Sequence, residues 1–224
     1  MNLFKIVAAV FFLSSLALSA QNINQFDSDG KRHGIWTKNF ENTDVIRYEG
    51  EFFHGKEVGT FKFYKNIKMK PVLSAVKQFN KENNIAEVSF LASTGKVIST
   101  GKMAGKAYIG TWKYYHKNND NLLILEHFDD LGQLTGERFV YYENGQIAEK
   151  QFYISGELHG ELIGYSEKGV VLKSFIYEAG ELHGLSKVFN GKGELIIEGA
   201  YKRGKKYGAW KYYENGKLKE EKRF

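Results

Sequence analysis

Large apolar side chains alternate with polar ones over short stretches: Phe61 and Phe63, Trp112 and Tyr114, Phe139 and Tyr141, Ile163 and Tyr165, Trp210 and Tyr212. Period two is the signal of a β-strand, because successive side chains point to opposite faces. Each stretch follows a glycine-x-x-x-glycine turn, with one residue more between Gly105 and Gly110 before Trp112. A second strand then announces itself by an aliphatic residue with an aromatic or methionine six positions later. These pairs are Ile46/Phe52, Leu73/Phe79, Val97/Met103, Leu122/Phe128, Ile147/Tyr153, Val171/Tyr177, Leu195/Tyr201 and Leu218/Phe224. Their starts step by 27, 24, 25, 25, 24, 24 and 23 residues. The turn glycines Gly30, Gly55, Gly105, Gly132, Gly156, Gly180 and Gly204 keep the same time, with one double step. The double step hides a copy around Phe79 to Phe90 that has lost its turn glycines but kept its strands. Between the strands, Asn144-Gly145, Lys168-Gly169 and Asn215-Gly216 suit a type I′ turn, whose two central residues both need φ > 0.

Eight copies of strand, tight turn, strand, tight turn predict an all-β chain, an antiparallel β-meander of hairpin repeats running from residue 30 to 224. A period of 24 residues leaves no room for the crossover helices that parallel strands need. One hairpin cannot bury its own face, so neighbouring copies must stack into a continuous core. A propeller blade takes about 40 residues and four strands, which favours an open single sheet. Sixteen strands at about 4.8 Å spacing would extend roughly 75 Å. Residues 66–84, with the sole proline at Pro71, break the period.

At this point the residues carry a resemblance. Tyr48-Glu49-Gly50, Phe52, Gly55-Lys56 and Gly59 resemble a MORN repeat (membrane occupation and recognition nexus). The stretch from Gly199 through Gly204-Lys205, Gly208, Trp210 and Asn215-Gly216 to Leu218 resembles the MORN-variant repeat of bacterial YwqK-type antitoxin proteins. The resemblance covers nearly the whole chain after residue 30. It implies a β-hairpin array used for binding, in some relatives as the immunity partner of a toxin and in others as a scaffold at membranes.

The first twenty residues read differently. Lys5 precedes an apolar run from Ile6 to Leu13, and small residues lead to Ala20. This is the pattern of a signal peptide with cleavage after Ala20. The run Ile6 to Leu18 is shorter than the roughly 20 residues that a membrane-spanning helix requires. A polar stretch, 21–29, then reads as a flexible lead-in. The expected location is therefore periplasmic or secreted. The absence of cysteine removes a disulfide scaffold, thiolate metal sites, a cysteine nucleophile and lipid attachment at cysteine.

Candidate chemistry is sparse. His33, His159 and His183 each precede a turn glycine, with Glu157 and Glu181 nearby in sequence. Equivalent positions in adjacent copies stand two strands apart, about 10 Å. An ion held about 2.0–2.1 Å from each imidazole nitrogen does not span that gap. The same slot holds Val58, Ile109, Thr135 and Tyr207, so no metal site is expected. The repeated glutamates occupy turns rather than the single water-excluding pocket that a carboxylate pair needs. No Ser-His-Asp set or phosphate loop stands out. The expectation is a non-enzymatic protein without cofactor.

Charge is the informative asymmetry. Sixteen cations face seven acids over residues 31–117, six face thirteen over 126–198, and nine face three over 201–224. The array is thus basic, then acidic, then basic. Lys202, Arg203, Lys205 and Lys206 form the candidate patch for an acidic protein partner, or alternatively for anionic lipid headgroups. Lys217, Lys219, Lys222 and Arg223 fall on the terminal strand, where cations discourage edge-to-edge pairing. Aromatic residues among cations can also bind single-stranded nucleic acid. Here they sit at packing positions, and an exported protein is not expected to meet nucleic acid.

Overall fold

The computed structural model describes residues 22–224, so the expected leader, Met1 to Ala20, lies outside the described residues. The described chain is one open antiparallel sheet of eighteen strands with no helix. Its eight hairpins follow in sequence. They are β2 (Arg32–Asn39) with β3 (Ile46–Phe53), β4 (Lys56–Ile67) with β5 (Lys70–Phe79), β6 (Ile85–Leu91) with β7 (Val97–Ala104), and β8 (Ala107–Tyr115) with β9 (Leu122–Phe128). The second half adds β10 (Gly136–Tyr141) with β11 (Ile147–Ile154), and β12 (Glu157–Leu158) and β13 (Gly160–Tyr165) with β14 (Val171–Glu178). The last two are β15 (Glu181–Phe189) with β16 (Leu195–Lys202), and β17 (Lys205–Glu214) with β18 (Lys217–Arg223). Each strand pairs with its neighbours in sequence, so the meander expected from the period is the fold.

The repeat locks together through a ring laid on a bare backbone. Phe61 covers Gly50, Trp112 covers Gly101, and Trp210 covers Gly199 so closely that a β-carbon at any of these glycines would overlap the ring. Phe61 and Trp112 are 0% exposed although the fold has a single layer. Trp112 achieves this by stacking on Tyr108 at 3.9 Å between centroids, with Phe90 at 6.0 Å, and its indole N–H donates to the Lys102 carbonyl. Trp210 donates in the same way to the Ala200 carbonyl.

The acidic middle fills this slot differently. Glu126 and Arg138 stand where three other copies place glycine and an aromatic ring, and the Arg138 Nε donates to Glu126 Oε2 at 2.9 Å. The guanidinium also donates to Gln151 Oε1 at 2.9 Å, and Tyr153 donates its hydroxyl to the same oxygen. Gln151 in turn donates to Glu149, whose other oxygen meets Lys173 at 2.6 Å. In the next pair the sizes are exchanged, with Phe175 opposite the buried Ser186.

Three local expectations need correction. The stretch expected to be a flexible lead-in is paired: β1 (Gln25–Phe26) lies antiparallel to β2. Asn24 accepts from the Thr37 amide, the Trp36 indole donates to the Gln25 carbonyl, and Phe26 meets Trp36 edge-on at 5.1 Å. A two-residue strand has no periodicity to read, and it is held by side-chain contacts with Trp36 and Thr37 on the strand that follows. At Asn144-Gly145 and Lys168-Gly169 only the glycine has positive φ, and Gly145 and Gly169 donate back to Tyr142 and Ser166. These are four-residue turns with a bulge. The two-residue type I′ geometry belongs to Asn215-Gly216 as expected, and to His54-Gly55, Ser155-Gly156, Ala179-Gly180 and Arg203-Gly204 at the opposite edge.

Residues 66–84 lengthen one hairpin rather than interrupt the array. Asn66 pairs with Pro71 and Ile67 with Lys70, around a turn in which both Lys68 and Met69 have positive φ. The missing turn glycines after β5 are replaced by asparagine side chains. Asn80 accepts from the amides of Glu82 and Asn83, and Asn83 accepts from the Ile85 amide.

Candidate binding groove and a histidine–aspartate corner

The meander places its short turns along two edges. On one edge, the residue after each turn glycine is Lys31, Lys56, Lys106, Gln133, Glu157, Glu181 and Lys205 in chain order. The charge asymmetry of the sequence therefore becomes a spatial gradient along one rim. Between the rim turns before β4 and β8 lies a groove of about 610 Å3 lined by Phe52, Phe63, Phe79, Lys56, Lys77 and Lys106, with Glu57, Asn83 and Asn84. Lys77 lies over the Phe63 ring, its Nζ 5.7 Å from the centroid. Aromatic floor and ammonium groups thus stand side by side, chemistry that can hold a group both apolar and acidic. Sequence reasoning missed this groove because its lysines lie far apart in the chain and converge only through the pairing of β3 to β8.

The basic residues singled out in the sequence do not form one patch. Arg203-Gly204 is the turn itself, Lys202 pairs with Lys205, and Tyr201 pairs with Lys206. Alternation sends Lys206 to the other face, where its Nζ stands 4.2 Å from the Trp210 centroid and 4.8 Å from that of Phe224. It also donates to the Tyr212 hydroxyl at 3.3 Å. Lys206 is thus engaged in covering the last tryptophan, while Lys202 leans over Tyr207 at 5.3 Å.

A polar latch recurs on either side of the acidic middle. The Tyr64 hydroxyl donates to Glu49 at 2.7 Å with Lys62 at 3.3 Å, and Tyr213 donates to Glu198 at 2.7 Å with Lys211 at 3.8 Å. The Tyr64 hydroxyl bond, with Lys62 beside it, holds the Glu49 carboxyl below its ordinary value against the opposing effect of burial. Burial and the same bond push the Tyr64 phenol up to about 12. Tyr114 is raised further, first by burial and then by its hydrogen bond to Glu126.

The histidines weighed as ligands are not gathered in one place. His183 instead meets Glu178 at 3.2 Å, across the turn that joins β14 to β15. His33, however, has partners that were not foreseen. Asp27, His33 and His54 bring one ligand atom each to within 4.8 Å of one another. His54 Nδ1 lies 2.7 Å from Asp27 Oδ2, and the His33 and His54 rings are 5.1 Å apart. Bonds from the Lys31 and Asp29 amides, together with His54, hold the Asp27 carboxyl below its ordinary value. The signal was hidden because Asp27 fell in the stretch expected to be flexible and His54 occupies a turn.

Two segments, 134–155 and 206–224, match the MORN repeat variant family. They correspond to the hairpin turn region around β10 and β11 and to the last hairpin, β17 with β18. No curated protein matches the chain.

Proposed function

We propose that the protein is a non-enzymatic, exported binding module whose MORN-type hairpin array receives an acidic, partly apolar segment of a protein partner. The observation that carries this reading is the groove in which Lys56, Lys77 and Lys106 surround Phe52, Phe63 and Phe79. Two further observations support it: the MORN variant matches, and a rim whose charge changes sign along the array. A toxin neutralised by an immunity-type relative is one partner of this class. The signal-like pattern of the first twenty residues supports export, to the periplasm or outside the cell.

Affinity capture from the host envelope tests the reading. The wild type should retain a partner that the double variant Lys56→Glu/Lys106→Glu loses, while Lys202→Glu/Lys205→Glu keeps it. Capture that ignores the first pair would refute the groove. The alternative, a peripheral module for anionic lipid, is favoured by the basic stretches at both ends of the array. Vesicles rich in anionic lipid decide it. Binding that disappears with added salt and needs no protein partner would select the lipid reading, because screening shortens to about 8 Å at physiological ionic strength. Intact mass of material from the host should begin at Gln21.

A further inference from the structure

We infer that Asp27, His33 and His54 form a site for a divalent transition-metal ion of the zinc type, which clamps the first strand of the array to its first full turn. The corner is assembled from three parts of the chain. Asp27 opens the loop after β1, His33 lies on β2, and His54 occupies the type I′ turn between β3 and β4. Two imidazoles and one carboxylate are the donor set that borderline ions such as zinc, cobalt and nickel accept.

The internal repeat supplies the comparison that makes this corner stand out. Asp129 occupies the place of Asp27 four hairpins later. Its Oδ1 accepts from the Leu131 and Gln133 amides as Asp27 Oδ1 accepts from the Asp29 and Lys31 amides. The Gly156 amide donates to the Leu134 carbonyl as that of Gly55 donates to Arg32. Thr135 and Ser155 therefore stand where His33 and His54 stand. The scaffold closes its loop without either imidazole, so the histidines are not needed to build it.

The atoms at the corner are also prepared. The two amide bonds fix the Asp27 carboxylate, whose side chain is 8% exposed, and leave Oδ2 directed at His54. His33 Nδ1 is buried and has no hydrogen-bond partner, which for a polar atom costs free energy unless something binds it. His54 is 53% exposed, and its Nδ1 is already within hydrogen-bond distance of Asp27. Ligands about 2.0–2.1 Å from an ion lie roughly 3.3–4.2 Å apart, so the widest pair, within 4.8 Å, closes by at most about 1.5 Å, and the 2.7 Å pair of His54 Nδ1 and Asp27 Oδ2 opens by about 0.6 Å or more. Water would complete the coordination. Closure would tie the segment before β2 to a turn 27 residues further on.

The test uses protein prepared without a polyhistidine tag and stripped with chelator. Cobalt serves as the spectroscopic probe and zinc as the titrant in calorimetry. One equivalent of zinc should bind, and its presence should raise the thermal midpoint, because a ligand of the folded state stabilises it by mass action. His33→Thr and His54→Ser copy the residues of the later corner, and Asn190 accepts from the amides two and four residues on just as Asp27 does, so each of these variants and Asp27→Asn should keep the wild-type circular dichroism. Each should weaken zinc binding by more than the roughly 10–100-fold that loss of an outer-shell partner costs. A wild type that binds no zinc at micromolar concentration would overturn the site. So would a stoichiometric complex that survives all three substitutions, or one that His183→Ala abolishes while the corner variants do not.

Discussion

At the scale of single residues, the array depends on positions where one side chain must be absent for another to be present. Gly101 has an ordinary negative φ, and its constraint is the Trp112 ring lying on its α-carbon. Gly101→Ala should destabilise the protein by about 3 kcal/mol or more, at or above the usual 1–3 kcal/mol for overpacking, measured in urea melts. An effect below about 1 kcal/mol would mean that the ring is free to lift. Arg138 poses the opposite problem. Its removal leaves Glu126 buried without a counter-charge, so Arg138→Leu should cost about 3–5 kcal/mol, whereas Glu126→Gly with Arg138→Trp restores the pair used elsewhere and should be near neutral. The sequence displayed Trp112 and Trp210 as matching positions. It could not display their glycine partners, because the contact crosses between strands and glycine has no periodic signature. For the same reason the Glu126–Arg138 pair read only as two charges in an acidic stretch.

Hairpins are the next scale, and here the Tyr64–Glu49 latch links β3 to β4 by chemistry that pH can address. The folded state holds the Tyr64 proton more tightly than an unfolded phenol, with the folded value pushed up to about 12. Its contribution is complete below about pH 10, the unfolded value, and is lost as pH rises towards 12. Glu49 works in the other direction, since its carboxyl is held below 4.5. Its contribution is present above that value and disappears as acid protonates it. Stability followed by denaturant melts should therefore fall at both extremes, and Tyr64→Phe should flatten the alkaline limb while lowering the plateau. An unchanged alkaline slope in that variant would assign the loss to other tyrosines. Hairpin number and strand positions were legible from the period and the aliphatic-to-aromatic ruler. Turn types were less so, because Asn144-Gly145 and Asn215-Gly216 share a dipeptide but differ in how many residues the loop spans.

Over the whole molecule, energy passes only between neighbours, and position along the array decides what a residue is worth. Trp112 is flanked by hairpins on both sides and packs against Tyr108 and Phe90. Trp210 belongs to the last hairpin and packs against Tyr201 and the chain-terminal Phe224. Trp112→Ala should cost about 3–5 kcal/mol, and Trp210→Ala clearly less. Equal large losses would mean that the ends of the sheet meet. The same geometry bears on binding, since an open array offers its groove and its graded rim to a partner along their length. The sequence conveyed this one-dimensional order and its charge gradient. Which lysines would converge had to wait for the register, so the groove of Lys56, Lys77 and Lys106 was invisible beside the contiguous cations of the last turn.

Small-angle X-ray scattering of the protein lacking residues 1–20 addresses the open array directly. Because β12 and β13 lie end to end beside β11, seventeen strand positions about 4.8 Å apart make a body roughly 77 Å long, for which the radius of gyration, with strands about 26 Å across, is about 24 Å. A compact chain of the same length would have about 17 Å. A value near 24 Å, with a pair-distance distribution tailing to about 80 Å, is the result expected of an unclosed meander. A value near 17 Å would contradict it, and with it the extended rim on which the proposed binding function rests.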